Sequence, residues 1–170
     1  MITGENVLLR SWKEGDLALL RNMRNDVSLQ AQLLARPRGS DENQVREWLK
    51  SFSAASDSFI FILADPADDT ALGFLQFKNT DFVSRNTELG ICLASSAQGR
   101  GIGVEVLALA CAYMRDTWGL GKVWLKVRDD NTAAIKCYEK AGFKHCGKLS
   151  NHVFISGAWH DVALMELFLS

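Results

Sequence analysis

Between Glu88 and Trp118 the apolar period changes from two to about 3.6 across a run of small residues, which commits this stretch to strand, tight turn and helix in succession. Leu89, Ile91 and Leu93 alternate as on a pleated strand, and Ser95 to Gly103 holds too many small residues to continue it. From Val104 onward, Val104, Leu107, Cys111, Met114 and Trp118 recur on one helical face, with Val106, Ala110 and Tyr113 beside it. Glycines at 99, 101 and 103 let the backbone approach a ligand with no Cβ in the way, and the first N–H groups of a helix have no intrahelical acceptor. The helix dipole adds partial positive charge at this end and Arg100 adds a full one, so the turn suits a phosphate or pyrophosphate.

Two common glycine loops do not fit. A dinucleotide fingerprint begun at Gly99 needs glycine where Val104 stands, and one begun at Gly101 needs it where Val106 stands. Gly119-Leu120-Gly121-Lys122-Val123 lacks the upstream glycine and the Ser/Thr of a Walker loop. Gln98-Gly99-Arg100-Gly101-Ile102-Gly103 fits Gln/Arg-x-x-Gly-x-Gly/Ala, and so resembles the acyl-CoA pyrophosphate loop of the GNAT acetyltransferases.

A chain of 170 residues that is 48% hydrophobic can build one core without staples, so a single domain over 1–170 is expected. Nineteen basic against twenty acidic residues provide no sequence-wide field toward nucleic acid or an anionic membrane. Cys92, Cys111, Cys137 and Cys146 fall inside predicted strands and helices with no Cys-x-x-Cys pair, as reduced, buried thiols would. The start, Met1 to Asn6, has no basic or apolar leader pattern, and no apolar run approaches membrane-spanning length; a soluble, cytoplasmic protein is expected. Neither metal-ligand spacing nor a Gly-x-Ser-x-Gly elbow is present, so no metal site and no serine nucleophile are predicted.

In chain order the pattern predicts a strand over Asn6 to Trp12, a helix capped by Asp16, a short helix over Val27 to Leu34, a loop at Arg36-Pro37-Arg38-Gly39-Ser40, and a helix opening at Ser40 or Asp41. Val45, Trp48, Leu49 and Phe52 form the buried stripe of that last helix. Phe59 to Leu63 and Thr70 to Lys78 read as a hairpin with a bulge at Gly73, followed by the strand Thr87 to Leu93. After the long helix come a strand over Lys122 to Val127, a helix capped by Asn131 and ended by Gly142, and a closing hairpin, Phe143 to Ile155 with Trp159 to Phe168. The fold class is α+β, with helices on both faces of a central, mixed, mostly antiparallel twisted sheet. This is the order of the GNAT fold, and Asn131 to Phe143 is similar to that family's Asn-x-x-Ala-x-x-x-Tyr-x-x-x-Gly-Phe helix. Leu8-Leu9-Arg10-Ser11-Trp12, Arg24-Asn25-Asp26 and Gly157-Ala158-Trp159-His160-Asp161 resemble the RimJ/RimL-type branch.

The resemblance implies an acetyl-CoA-dependent N-acetyltransferase in which the amine attacks the thioester directly. It assigns Ile91, Cys92 and Leu93 to strand-like pairing with pantetheine, with the Leu93 N–H donating to the thioester carbonyl. The amides around Gln98, Gly99, Arg100, Gly101, Ile102 and Gly103 would hold the pyrophosphate. Asn131 contacts the pantetheine arm, caps its helix, or does both. Tyr138 is the general acid for the leaving thiolate, against the plainer reading of a core aromatic. Glu88 is the candidate base, against a solvated acid at a strand edge; His152, His160 and Asp161 are alternatives. Cys92 and Cys137 admit an acyl-cysteine but are read as small core residues.

Acceptors in that branch include protein N-termini, amino sugars, polyamines and amine antibiotics. The region building their pocket, Leu17 to Ser40 with the last hairpin, carries no readable code. Arg21, Arg24, Arg36 and Arg38 suit an anionic acceptor but are read first as an ordinary solvated surface, and their charge counts against a polyamine. The rival from another class is an acyl-CoA-binding module without catalysis. The family resemblance also implies a possible homodimer.

Overall fold

The computed structural model describes all of residues 1–170. The elements are β1 (Ile2–Thr3), β2 (Leu8–Arg10), a 3-10 turn (Glu14–Asp16), α1 (Leu17–Asn25), α2 (Val27–Gln32), α3 (Glu42–Ala54), β3 (Phe59–Ala64), β4 (Ala71–Asp81) and β5 (Asn86–Leu93). Then follow α4 (Ile102–Trp118), β6 (Lys122–Arg128), α5 (Thr132–Lys140), β7 (Lys144–Ile155) and β8 (Ala158–Phe168). One sheet runs β1-β2-β3-β4-β5-β6-β8-β7. Every pairing is antiparallel except β5 with β6. A parallel neighbour needs a crossover, and α4 supplies it.

Strand alternation sends successive residues of β4 and β5 to opposite faces. Phe74 and Cys92, with Ile62, pack under Leu17, Leu20, Met23, Val45 and Leu49 of α1 and α3. Leu75, Phe77 and Leu89 pack on the other side with Val106, Leu107, Ala110 and Met114 of α4 and with Tyr138 of α5. The sheet is therefore covered on both faces. No helix is long and apolar enough to cross a membrane.

Asp41 caps α3 by accepting the Gln44 N–H at 2.8 Å, and Asp26 caps α2 by accepting the Leu29 N–H at 2.9 Å. Gly119, left-handed at φ 66°, ends α4 by donating to Arg115 O.

Several expectations are corrected. Asp16 does not cap α1. It is buried in the 3-10 turn, where it binds the buried Arg10 guanidinium through two contacts of 2.8 and 3.0 Å, because an enclosed cation takes the nearest carboxylate. α4 begins at Ile102, two residues before its apolar stripe. Trp118, the last member of that stripe, is 42% exposed and rests its ring edge on Phe59, at the start of β3. Cys146 is exposed because β7 is an outer strand, and Cys137 is half-buried, so only Cys92 and Cys111 are core thiols. The two-residue strand β1 was not anticipated; it pairs Ile2 with Leu9.

Candidate active site

The site begins where two strands part. β5 and β6 pair only through Asn86–Lys122, Thr87–Val123 and Glu88–Trp124. Beyond that point Leu125 to Arg128 pair with β8 alone and Leu89 to Leu93 with β4 alone, so the strands diverge. The Ala94 N–H donates to Leu72 O at 2.8 Å. Antiparallel alternation therefore turns the Cys92 backbone toward β4, and the N–H and C=O of Ile91 and Leu93 toward the gap. The Leu93 carbonyl is met there by the Gln98 side-chain amide at 3.0 Å. Of the three residues expected to offer strand-like backbone groups, Ile91 and Leu93 present them and Cys92 does not.

The glycine turn follows directly. Gly99 and Gly101 have φ of 73° and 75°, a region that costs a side-chain-bearing residue energy. Gly101 is the N-cap of α4 and provides no side chain, so the first-turn amides of the helix lack a capping acceptor and are free for an anion. A Cβ on Gly103 would lie 2.9 Å from Cys137 Sγ, so this glycine lets α5 sit against the first turn of α4.

Asn131 Oδ1 accepts the Ala134 N–H at 3.3 Å and caps α5, which places Tyr138 two turns later facing the gap. The Tyr138 ring is buried with its edge toward Phe143 at 5.9 Å. Its hydroxyl makes no hydrogen bond within the protein and is not among the enclosed unpaired polar atoms, so it opens into the cleft. Burial raises the phenol above its ordinary value, and it stays protonated well into the alkaline range. Burial also pushes the Cys92 thiol up to about 12 and raises that of Cys137.

Glu88, Ile91, Cys92, Leu93, Gln98, Gly99, Gly101, Ile102, Gly103, Asn131 and Tyr138 all line one cleft of about 780 Å³. Arg100 is exposed and outside that wall; Lys136 and Lys140 of α5 stand there instead. His152, His160 and Asp161 are also outside it. The His160 ring contacts Ile155 O and Asp130 at 3.1 and 3.5 Å, and Asp161 pairs with Lys148 at 3.1 Å.

Glu88 is not a solvated edge acid. It is 5% exposed, with Lys126 and Lys78 ammonium groups at 3.5 and 3.7 Å from Oε1 and the Asn79 side-chain amide donating to Oε2 at 3.0 Å. Sequence reasoning had not singled out Lys78, Gln76 or Phe74. Their signal lay in the β4–β5 register, which sets them opposite Glu88, Gly90 and Cys92. Arg24 and Trp48 complete the far wall from α1 and α3.

The charged lining comprises Arg24, Lys78, Lys126, Lys136 and Lys140 against Glu88 alone, so the cleft is basic in a chain of net charge −1. The arrangement combines free first-turn amides for an anion, an open strand edge for an extended amide-bearing arm, and a protonated phenol facing a carboxylate-bearing strand. It suits holding a phosphorylated carrier and moving an acyl group beside two proton-handling side chains.

Comparison with known proteins gives the same family. Residues 6–144 match the model described as Acetyltransferase (GNAT) domain. The chain is 26% identical over 162 residues to a spermidine N(1)-acetyltransferase of Vibrio cholerae, covering 95% of this chain and 92% of that one. It is 26% identical over 120 residues to the ribosomal protein uS5-alanine N-acetyltransferase of Escherichia coli, covering 70% of this chain and 62% of that one. The crystal structure of spermidine N-acetyltransferase from Vibrio cholerae in complex with CoA and spermine superposes with a TM-score of 0.90 at 23% identity, covering 98% and 97% of the two chains. The chain belongs to the GNAT acetyltransferase domain family and is an acetyl-CoA-dependent N-acetyltransferase of amines.

Proposed function

We propose that the amine attacks the thioester directly in the gap between β5 and β6, with the whole of 1–170 acting as one catalytic domain. The observation that carries this reading is the parting of β5 from β6 beyond Glu88 and Trp124, next to the uncapped start of α4. The first-turn amides from Gly101 to Gly103, with Gln98 and Gly99, hold the donor's pyrophosphate. Ile91 and Leu93 pair with its pantetheine amides, and Asn131 borders the same arm while capping α5. When bound, acetyl-CoA supplies an activated acyl group. The Leu93 N–H stabilises charge on the acyl oxygen. Tyr138 gives a proton or hydrogen bond to the leaving thiolate, whose ordinary pKa of about 8.5 lies below that of a phenol. Glu88 accepts the ammonium proton, directly or through water.

Two observations support a RimJ/RimL-like branch assignment: the Leu8-Leu9-Arg10-Ser11-Trp12 start and the likeness to the uS5-alanine enzyme. A homodimer belongs to the same proposal, by the family resemblance. The acceptor is first read as a primary amine, a protein N-terminal amine or a small-molecule amine such as an amino sugar; the second reading is a polyamine, favoured by the spermidine N-acetyltransferases among the relatives.

Calorimetric titration of acetyl-CoA with thiol release followed across peptides, amino sugars, amino acids and polyamines tests the reading. Binding accompanied by thiol release with one amine class is the expected result. Absence of acetyl-CoA binding to the folded protein would overturn every assignment above.

A further inference from the structure

Arg24 has no partner. Its Nε is the one enclosed side-chain polar atom in the molecule without a hydrogen bond, and its guanidinium forms no ion pair. Of the other arginines read as solvated surface, Arg21 meets Glu42 at 3.3 Å, Arg36 binds Phe154 O, and Arg38 is exposed to water. The more deeply buried Arg10 is held by Asp16 and Asp69. Arg24 is partly buried, and a partly desolvated cation without a counter-charge costs free energy that a structure ordinarily avoids by supplying a partner. Here the protein supplies none, and burial alone draws the pKa of Arg24 below its usual value.

The surroundings say what is missing. The guanidinium carbon lies 4.5 Å from the centre of the Trp48 ring, so one face is stacked, and the terminal N–H groups, unlike Nε, are not enclosed. Arg24 lines the cleft, as do Leu29, Leu33 and Phe74, the last with its ring 5.1 Å from that of Trp48, apolar company in which a charge-assisted bond gains strength. Phe74 stands opposite Cys92, one residue before the Leu93 amide, and the same face of β5 carries Glu88. A group held at Arg24 thus shares the acceptor side of the cleft with the proposed base.

We infer that Arg24 is a specificity-determining residue which binds a carboxylate of the acceptor, so that the substrate is a primary amine carrying an acid group and not a polyamine. The inference rests on the acetyltransferase reading of the same cleft. The two terminal N–H groups of the guanidinium fork, which are neither enclosed nor hydrogen-bonded, match a carboxylate in two parallel N–H···O bonds while Nε stays covered. A polyamine would instead meet five cations and one acid along the lining.

The test compares ω-amino acids, their amides and diamines of equal chain length, using thiol release by wild type, Arg24→Lys and Arg24→Met. Arg24→Met keeps an apolar stem over Trp48, and acetyl-CoA affinity and thermal midpoint serve as folding controls. Wild type is expected to favour the amino acid over its amide by about 30-fold in kcat/KM, the range of one charge-assisted contact. Arg24→Met brings the acid-to-amide ratio of kcat/KM toward one through the acceptor KM, and Arg24→Lys restores part of it. Turnover in which diamines are preferred, or in which Arg24→Met keeps the wild-type ratio, would overturn the inference and leave the acetyltransferase reading standing. No thiol release with any amine would overturn both.

Discussion

Replacing Tyr138 with phenylalanine lowers kcat by about 100-fold, the span of a general-acid contribution, with acetyl-CoA affinity and thermal midpoint close to wild type. The ring packs against Phe143 and is 8% exposed, so phenylalanine fills the same space. The hydroxyl bonds to no protein group, so its removal orphans no partner and creates no cavity beyond one oxygen. Loss of rate without loss of binding or stability distinguishes a proton donor from a core aromatic. The pH profile carries a further expectation. Because burial raises the folded pKa of the phenol, its acid form persists as pH climbs past the ordinary value of about 10, so wild type shows no loss of kcat from this group through pH 10. An unchanged kcat in Tyr138→Phe would return Tyr138 to the core.

The second large effect is on the strand that carries the Leu93 amide. Gly73→Ala lowers stability by about 3 kcal/mol, at the upper end of overpacking costs. It lowers the thermal midpoint by roughly 6–12 °C for a chain of this size. A Cβ at Gly73 lies 2.1 Å from Cys92 O, 2.9 Å from Leu93 Cα and 3.0 Å from Cys92 C. These are backbone atoms, so no rotamer change relieves the contact, and β4 must move from β5 at the point where the register shifts between Leu63 and Ala64. Displacing Leu93 misaims its N–H, and a shift on the order of 1 Å costs about 100-fold in kcat/KM. Gly15→Ala, where a Cβ meets nothing within 4 Å, is the control and stays at wild-type stability. Thermal melts and initial rates on the two variants decide; a Gly73→Ala protein with wild-type midpoint and rate would contradict the account.

What was legible in the chain was local. The change of period at Glu88 to Trp118, the glycines of the turn, and the Asn131 to Gly142 helix each report backbone geometry within a few residues of themselves, and each stands where expected. The environment of a side chain depends on strands brought in from elsewhere. Glu88 looked like an edge acid because nothing in its own strand shows that Lys78 and Lys126 close over it from β4 and β6. Arg24 looked like surface because Trp48, which covers it, arrives from α3. Asp16 carried the residue type of a helix cap, but the buried Arg10 six positions earlier claimed its carboxylate. Trp118 keeps the helical stripe but meets the first residue of β3 and stays partly exposed, and Cys146 lies on an outer strand whose place in the sheet no local pattern reveals. Motif and periodicity thus located the donor side of the cleft. The acceptor side, assembled from α1, α2, α3 and β4, emerged only with the tertiary structure.

Direct attack by the amine is the central claim, and the thiols beside the cleft offer the one covalent alternative. Burial holds the Cys92 thiol up at about 12 and raises that of Cys137, so neither is a thiolate at neutral pH and neither is poised as a nucleophile. The decisive measurement mixes the protein with acetyl-CoA in the absence of any amine, following CoA thiol release in the first turnover and the intact mass of the chain. The account predicts no stoichiometric release and no acetyl adduct, with release beginning only when an acceptor amine is added and matching the acetylated amine formed. One equivalent of thiol released without an amine, with an acetyl group on Cys92 or Cys137, would contradict it.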